Sequence, residues 1–289
     1  MPAEPVILTT RAMGTSFELV LAGEACDRRK LVAAGEAALE VIRDVEARWS
    51  LFLPDSRLAL LNRTGHARAI ALDADDCELF EVAASVHEAS AGAFDPNVAR
   101  AMDAAGHFAQ RGLTPILGHQ KGPASATWRF DVHAKTISFS GPGPALDLGG
   151  IAKGHALDLA ARELQECGVT SALLHGGTSS VVAFGAPPDQ EAWLVRCGEV
   201  EVPLNGIAIA TSRADSQSAE FGTHILNPGS SVKSVGCRNA ATVLAPSAAL
   251  ADAWATALCV RPDLSHRAAN VLVRQGVTVL SLHEPLHNV

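Results

Sequence analysis

The sequence predicts an α+β fold of mostly antiparallel sheets flanked by helices. Two observations carry that expectation. Stretches 28–49 and 75–91 repeat apolar residues at the helical period, whereas the second half of the chain strings short strand-like runs together through turns. Turns of that length join antiparallel neighbours, because a parallel pair needs a crossover of a dozen residues or more. Neither an internal repeat nor a disordered linker interrupts the 289 residues. We therefore expect one domain over 1–289, or two intimately packed subdomains with no clean boundary.

In chain order, Val6 to Leu8 and Ser16 to Ala22 read as strands, with Arg11 to Thr15 as the connection between or within them. From Arg28 to Trp49, apolar residues including Leu31, Ala38, Ile42 and Val45 share one helical face. Asp55 or Ser56 is placed to cap a short segment ending at Asn62. The next helix, Asp75 to Ala91, turns Leu79, Val82 and Val86 inward and stops at Gly92. Asp95 stands before Pro96 as a cap stands before a first helical residue, which predicts a helix beginning there. Residues 110–126 read as a surface excursion and Trp128 to Ser140 as a hairpin turning near His133 to Thr136.

A short apolar strand is then expected to break on Gly149-Gly150 and restart as a helix over Ala152 to Cys167, ended by Gly168. Strands follow at 171–175, 181–185, 193–197 and 207–211, then a loop at 223–229 and a strand at 240–244. Ser247 caps a helix reaching Val260, where Arg261-Pro262 ends it. A helix near 265–274 and a strand at 277–282 close the chain.

A net charge of −8 and the lack of any basic stripe argue against nucleic acid as the main partner. The six cysteines show neither a CxxC pair nor zinc-ligand spacing and read as reduced thiols. No apolar run approaches the length of a membrane span, about 18 residues. The amino terminus has neither a basic start nor a lipid-attachment site, so the expected location is cytoplasmic, or periplasmic and membrane-associated if a leader has been removed.

Chemistry concentrates in Asp147-Leu-Gly-Gly-Ile-Ala-Lys-Gly-His-Ala-Leu-Asp158. Bare backbone N–H groups at a helix start, with Lys153 one turn in, suit an anion. A P-loop is excluded, since His155 and Ala156 stand where Lys and Ser or Thr would follow the second glycine. Either a phosphate site or a plain strand-to-helix turn fits these residues. Asp252 and Thr256, four apart on one helix, offer oxygen ligands to a hard cation such as Mg²⁺; an ordinary helical pair is the other reading. His224, before an Asn-Pro turn, suits a base, a phosphate donor or a loop histidine.

Five separated pieces in one order carry a resemblance. They are Ala12-Met-Gly-Thr15, Gly92-Ala-Phe-Asp-Pro96 with Val98, Asp147 to Gly154 with Asp158, His224-Ile-Leu-Asn-Pro228 and Ala251-Asp-Ala-Trp-Ala-Thr256. Ser50 to Asn62, Gly176-Gly177 and Ala210-Thr-Ser212 are weaker echoes. The chain thereby resembles the ApbE-type FAD:protein FMN transferases. The resemblance implies that FAD is split, that FMN passes to a Ser or Thr hydroxyl of a target flavoprotein, and that AMP leaves. It implies FAD contacts at Met13, Phe52, Ala93, Phe94, Asp95, Asp147, Lys153 and Leu226. It also implies Mg²⁺ ligands at Asp252 and Thr256 with carbonyls of Gly150 and Ala255. His224 is the expected base, and Lys153 the expected electrostatic aid to transfer.

Three positions depart from the family pattern. Arg213 stands where glycine is common, and Phe52 and His155 stand where tyrosine is frequent. Arg213 and the missing phenols keep in view an FAD-binding protein without transfer, and a second enzymatic alternative is an FAD pyrophosphatase in which water replaces the acceptor hydroxyl.

Overall fold

The computed structural model of the chain describes residues 4–22, 28–118, 122–123, 126–213 and 240–283. Its centre is a seven-stranded, wholly antiparallel sheet in the order β1-β2-β6-β7-β10-β11-β12. The strands are β1 (Val6–Ala12), β2 (Thr15–Ala22), β6 (Ser171–Gly176), β7 (Ser180–Phe184), β10 (Ile207–Arg213), β11 (Ala240–Ala245) and β12 (Thr278–His283). A small sheet joins β3 (Ile70–Ala71), β5 (Thr136–Phe139) and β4 (Trp128–Asp131) in that order, and β8 (Trp193–Cys197) pairs with β9 (Val200–Leu204). The expected α+β architecture of antiparallel sheets and helices is what forms.

Alternation along β2 sorts the two faces of the central sheet. Phe17, Leu19 and Leu21 turn into the main core, while Val20 and Ala22 join a second apolar cluster on the opposite face. The main face is covered by α1 (Arg28–Trp49), α5 (Ala152–Glu166) and α6 (Ala248–Val260). The opposite face is covered in part by the β8–β9 hairpin, which lays Trp193, Val202 and Leu204 over Leu173, Val181 and Ile209. Further out lie α2 (Arg57–Thr64), α3 (Ala74–Ala89) and α4 (Ala99–Ala104), with α7 (Leu264–Arg267) and α8 (Ala269–Arg274) before the last strand. No described helix is long and apolar enough to cross a membrane.

Register puts one end of the sheet in charge of the site. There β1 turns into β2 through Met13-Gly14, β6 turns into β7 through 177–179, and β10 ends at Ser212-Arg213. Met13 and Gly14 both have positive φ, 51° and 72°, the two-residue turn whose twist matches a hairpin.

Several expectations change. Residues 144–148 are a loop, not a strand, because Pro142 and Pro144 interrupt any ladder and the backbone is bonded elsewhere. The helix expected at Pro96 begins instead at Ala99. The unexpected strand β9 contains Pro203, which a two-stranded edge tolerates. The expected 265–274 helix is two short helices meeting at Ala268, whose φ is −101°.

Candidate active site

The site is built where α5 crosses the start of α6. A Cβ on Gly154 would lie 2.2 Å from the carbonyl oxygen of Ala248, so only glycine allows this approach. Each helix then supplies a carboxylate to the other's free N–H groups. Asp158 of α5 accepts from the Ala248 and Ala249 N–H groups at 2.7 and 2.9 Å. In return Asp252 of α6 accepts from the Gly154 N–H at 2.8 Å. Ser247 completes the α6 start by accepting from Leu250 N–H at 3.2 Å.

Asp252 is buried, and its second oxygen accepts from the Ser180 hydroxyl at 2.6 Å. Burial pushes its carboxyl up, while Lys153, the Ser180 hydroxyl and the Gly154 N–H oppose that shift. Burial likewise lifts Asp158 to about 7; its two N–H donors and Arg162 oppose this, and Asp252 adds to it. His155, also buried on α5, is held down to about 4 chiefly by burial and is neutral at pH 7.

One turn beyond Asp252, the half-buried Thr256 places its hydroxyl 3.3 Å from that of Ser212. Gly150 packs against both Thr256 and Phe94: its Cβ position would lie 3.3 Å from Thr256 Oγ1 and 3.4 Å from Phe94 Cε2. Lys153 reaches back toward the Gly149 carbonyl at 3.4 Å, and its charge acts on both Asp147 and Asp252. Asp147 accepts from the Gly149 N–H at 2.7 Å; burial pushes its carboxyl up, opposed by that N–H, Lys153 and Arg111.

Asp147 belongs to a loop pinned on both sides. Its N–H donates to the Pro96 carbonyl at 2.8 Å, and Ala145 N–H donates to Asn97 Oδ1 at 3.0 Å. From the other side the buried Asn62 amide accepts from Leu146 N–H and donates to the Leu146 and Ile116 carbonyls. The 93–98 turn is held in its turn by α3. Ser90 accepts from Phe94 N–H at 3.1 Å, and His87 Nδ1–H donates to the Phe94 carbonyl at 2.9 Å. Asp95 caps no helix; its Oδ1 accepts from Asn97 N–H and Trp128 Nε1–H at 2.9 and 3.2 Å. Ala93 is buried in the same turn.

The structure thus gathers Gly150, Phe94, Thr256, Asp252, Lys153 and Asp147, with Ala93 and Asp95 on the turn that carries Phe94. Met13 stands apart at the tip of the first hairpin, where its N–H donates to Glu46 at 2.5 Å. Phe52 lies in the α1–α2 loop, edge-on to Phe108 with 5.6 Å between ring centres. Both are half-buried against the main core. Ala255 is buried mid-helix, where a regular α-helix commits its carbonyl to residue 259. His224 and Leu226 lie outside the described residues. Ser180 was not singled out in the sequence, since a lone serine in a strand carries no period or spacing signal, and Ser212 stood only in the weaker echo Ala210-Thr-Ser212.

The donor set fits a hard divalent cation. Asp252 keeps a second lone pair on each oxygen, and Thr256 adds a hydroxyl beside the Gly150 backbone. Among the described residues no group of three or more His, Cys, Asp or Glu is assembled, so a cation here would take its remaining ligands from backbone carbonyls, water or substrate.

Comparison with known proteins places the chain. The sequence profile of the ApbE family matches residues 13–280. The FAD:protein FMN transferase of Rhodobacter capsulatus is 29% identical over an alignment of 297 positions, gaps included, that covers 94% of this chain and 55% of that relative. This chain therefore spans about half the length of that curated relative. Among solved structures, the ApbE protein of Thermotoga maritima superposes with a TM-score of 0.74 at 22% identity, covering 98% of this chain and 97% of that one. The flavin transferase ApbE of Vibrio cholerae gives 0.74 at 22% identity, covering 99% and 98%. At these identities the superpositions speak for a shared fold.

Proposed function

The chain belongs to the ApbE family, and from that premise we propose that it is an Mg²⁺-dependent transferase moving FMN from FAD to a Ser or Thr hydroxyl of a target flavoprotein. The observation that supports this most is the convergence of Thr256, Gly150 and Phe94 beside the reciprocally bonded Asp252. It sets hard oxygen donors against an aromatic side chain, the pairing that a metal-held pyrophosphate joined to a flavin requires.

In this reading Met13, Phe52, Ala93, Phe94, Asp95, Asp147 and Leu226 line the FAD site, with Lys153 beside the pyrophosphate. Asp252, Thr256 and the carbonyl of Gly150 would hold Mg²⁺, and the Ala255 carbonyl, already accepting within α6, would add only its second lone pair. When bound, that ion neutralises charge on the pyrophosphate oxygens. The acceptor hydroxyl oxygen forms a bond to the phosphorus of the FMN half, and the P–O bond to the AMP half breaks with its electron pair leaving on AMP. His224 takes the hydroxyl proton, and Lys153 stabilises the charge that builds on phosphate.

Incubation of the protein with FAD, Mg²⁺ and a candidate flavoprotein tests the proposal. We expect AMP release together with acid-stable flavin fluorescence and an FMN mass increment on the target. FMN and AMP appearing free, with the target unlabelled, would replace this reading by FAD pyrophosphatase. FAD retained intact over hours would replace it by a binding protein, the outcome that Arg213, exposed at the end of β10 beside Ser212, keeps in view.

A further inference from the structure

Resting on that transfer reading, we propose that a cleft of about 340 Å³ on the sheet face opposite the helices receives the acceptor segment of the target protein as an extended polypeptide. Its walls are Thr15, Ser16 and Glu18 of β2 and, across from them, His175, Gly177 and Thr178. Glu18 and His175 are direct cross-strand partners, so their side chains stand together on one face. Gly177 keeps the cleft open at its inner end: its φ is +65°, and a Cβ there would meet Thr15 Oγ1 at 2.6 Å.

The lining decides between the candidate occupants. A diphosphate calls for Lys or Arg, and among the described residues lining the cleft there is neither, while the Glu18 carboxylate repels anions. An isoalloxazine or adenine ring calls for an aromatic partner to stack on, and the imidazole of His175, in register beside Glu18, is the one ring in that lining. What the walls do offer is hydroxyls, a carboxylate and an imidazole. They bond the alternating donors and acceptors of a peptide backbone and favour a neutral or basic segment.

Position supplies the rest of the argument. Gly177 and Thr178 line the cleft, while Ser180, two residues on, donates to Asp252; Ser179 between them lies 3.3 Å from Ser180, hydroxyl to hydroxyl. Two residues span at most about 7 Å. Ser180 faces Asp252 from the helix-covered side of the sheet, so a segment seated in the cleft reaches the site by turning round this end of the sheet, past the 177–179 turn and Ser212-Arg213.

Ser16→Trp fills the cleft from an exposed strand position, and Glu18→Lys reverses its charge. For both full-length variants we expect KM for the target flavoprotein to rise about tenfold or more, equivalent to about 1.4 kcal/mol, with the FAD dissociation constant and melting temperature held. Binding of the flavin-free, fluorescently labelled target, followed by anisotropy without FAD, is expected to weaken in parallel. Target binding unchanged in both variants, no target binding by the unsubstituted protein, or FAD affinity falling alongside target affinity would each overturn the assignment. Failure of the transfer reading is separate, since it is seen as an unsubstituted protein that binds target and leaves it unlabelled by flavin.

Discussion

The α5–α6 crossing and the two outlying positions Met13 and Phe52 are built on opposite plans. At the crossing both oxygens of Asp252 and both of Asp158 are bonded within the protein, and the two helices touch backbone to backbone. The side chains of Met13 and Phe52 are half-open, Met13 in a hairpin turn and Phe52 in one edge-on ring contact. Charge-bearing chemistry requires groups fixed before the substrate arrives, whereas a flavin ring is recognised by surfaces that tolerate small adjustments. On the proposed transfer reading this amounts to a division of labour, with the crossing serving transfer and the Met13 and Phe52 positions serving FAD binding.

Two glycine substitutions sharpen the contrast most. Gly154→Ala drives a methyl into the Ala248 carbonyl, and we expect about 3 kcal/mol of lost stability in urea unfolding, together with loss of Mg²⁺ binding. Gly14→Ala at the hairpin tip meets nothing within 4 Å, so it bears only the conformational penalty of φ +72°, about 1 kcal/mol. Equal losses would break the comparison.

Between these lies Asp158→Asn, which sets an amide NH2 against one of the two α6 N–H groups that Asp158 accepts from and is expected to destabilise by about 1–2 kcal/mol. Its pH signature is more telling than its size. The folded carboxyl of Asp158 sits near 7, above the ordinary 3.8, so the folded state holds the extra proton. Its contribution is therefore full below about 4 and is lost as pH rises to about 7. His155 acts oppositely: held down to about 4 from 6.5, it contributes stability above 6.5 that is lost as pH falls. With Asp158 replaced, stability should climb more steeply than in the parent from pH 4 to 6.5. Parallel curves would show that the carboxyl titrates normally.

Much of this was legible in the sequence because the family pieces coincide with positions where geometry leaves no choice. Gly154, Asp158 and Asp252 are each irreplaceable at the crossing for a reason of contact or charge, and all three stood in quoted motifs. The antiparallel architecture was legible from short strands and turns. Asn62, by contrast, showed only as a faint echo, since its three bonds to loops 146 and 116 reach across the chain and leave no local pattern. Ser180 was invisible for the same reason. Residues 144–148 read as a strand because Ala145, Leu146 and Leu148 are apolar, yet they are buried as a loop whose N–H groups are taken by Asn97, Asn62 and Pro96. Asp252 and Thr256 were paired correctly by helical spacing, though the partners that fix Asp252, Gly154 and Ser180, emerge only in three dimensions.

The division of labour is tested most directly by steady-state AMP release from FAD in Thr256→Val and Phe52→Ala. Thr256→Val should lower kcat by about 100-fold or more with KM for FAD little changed, the pattern of an interaction made only in the transition state. Phe52→Ala should raise KM for FAD about tenfold with kcat nearly intact, the pattern of lost uniform binding. The reverse assignment, with KM moved by Thr256 and kcat by Phe52, would contradict it.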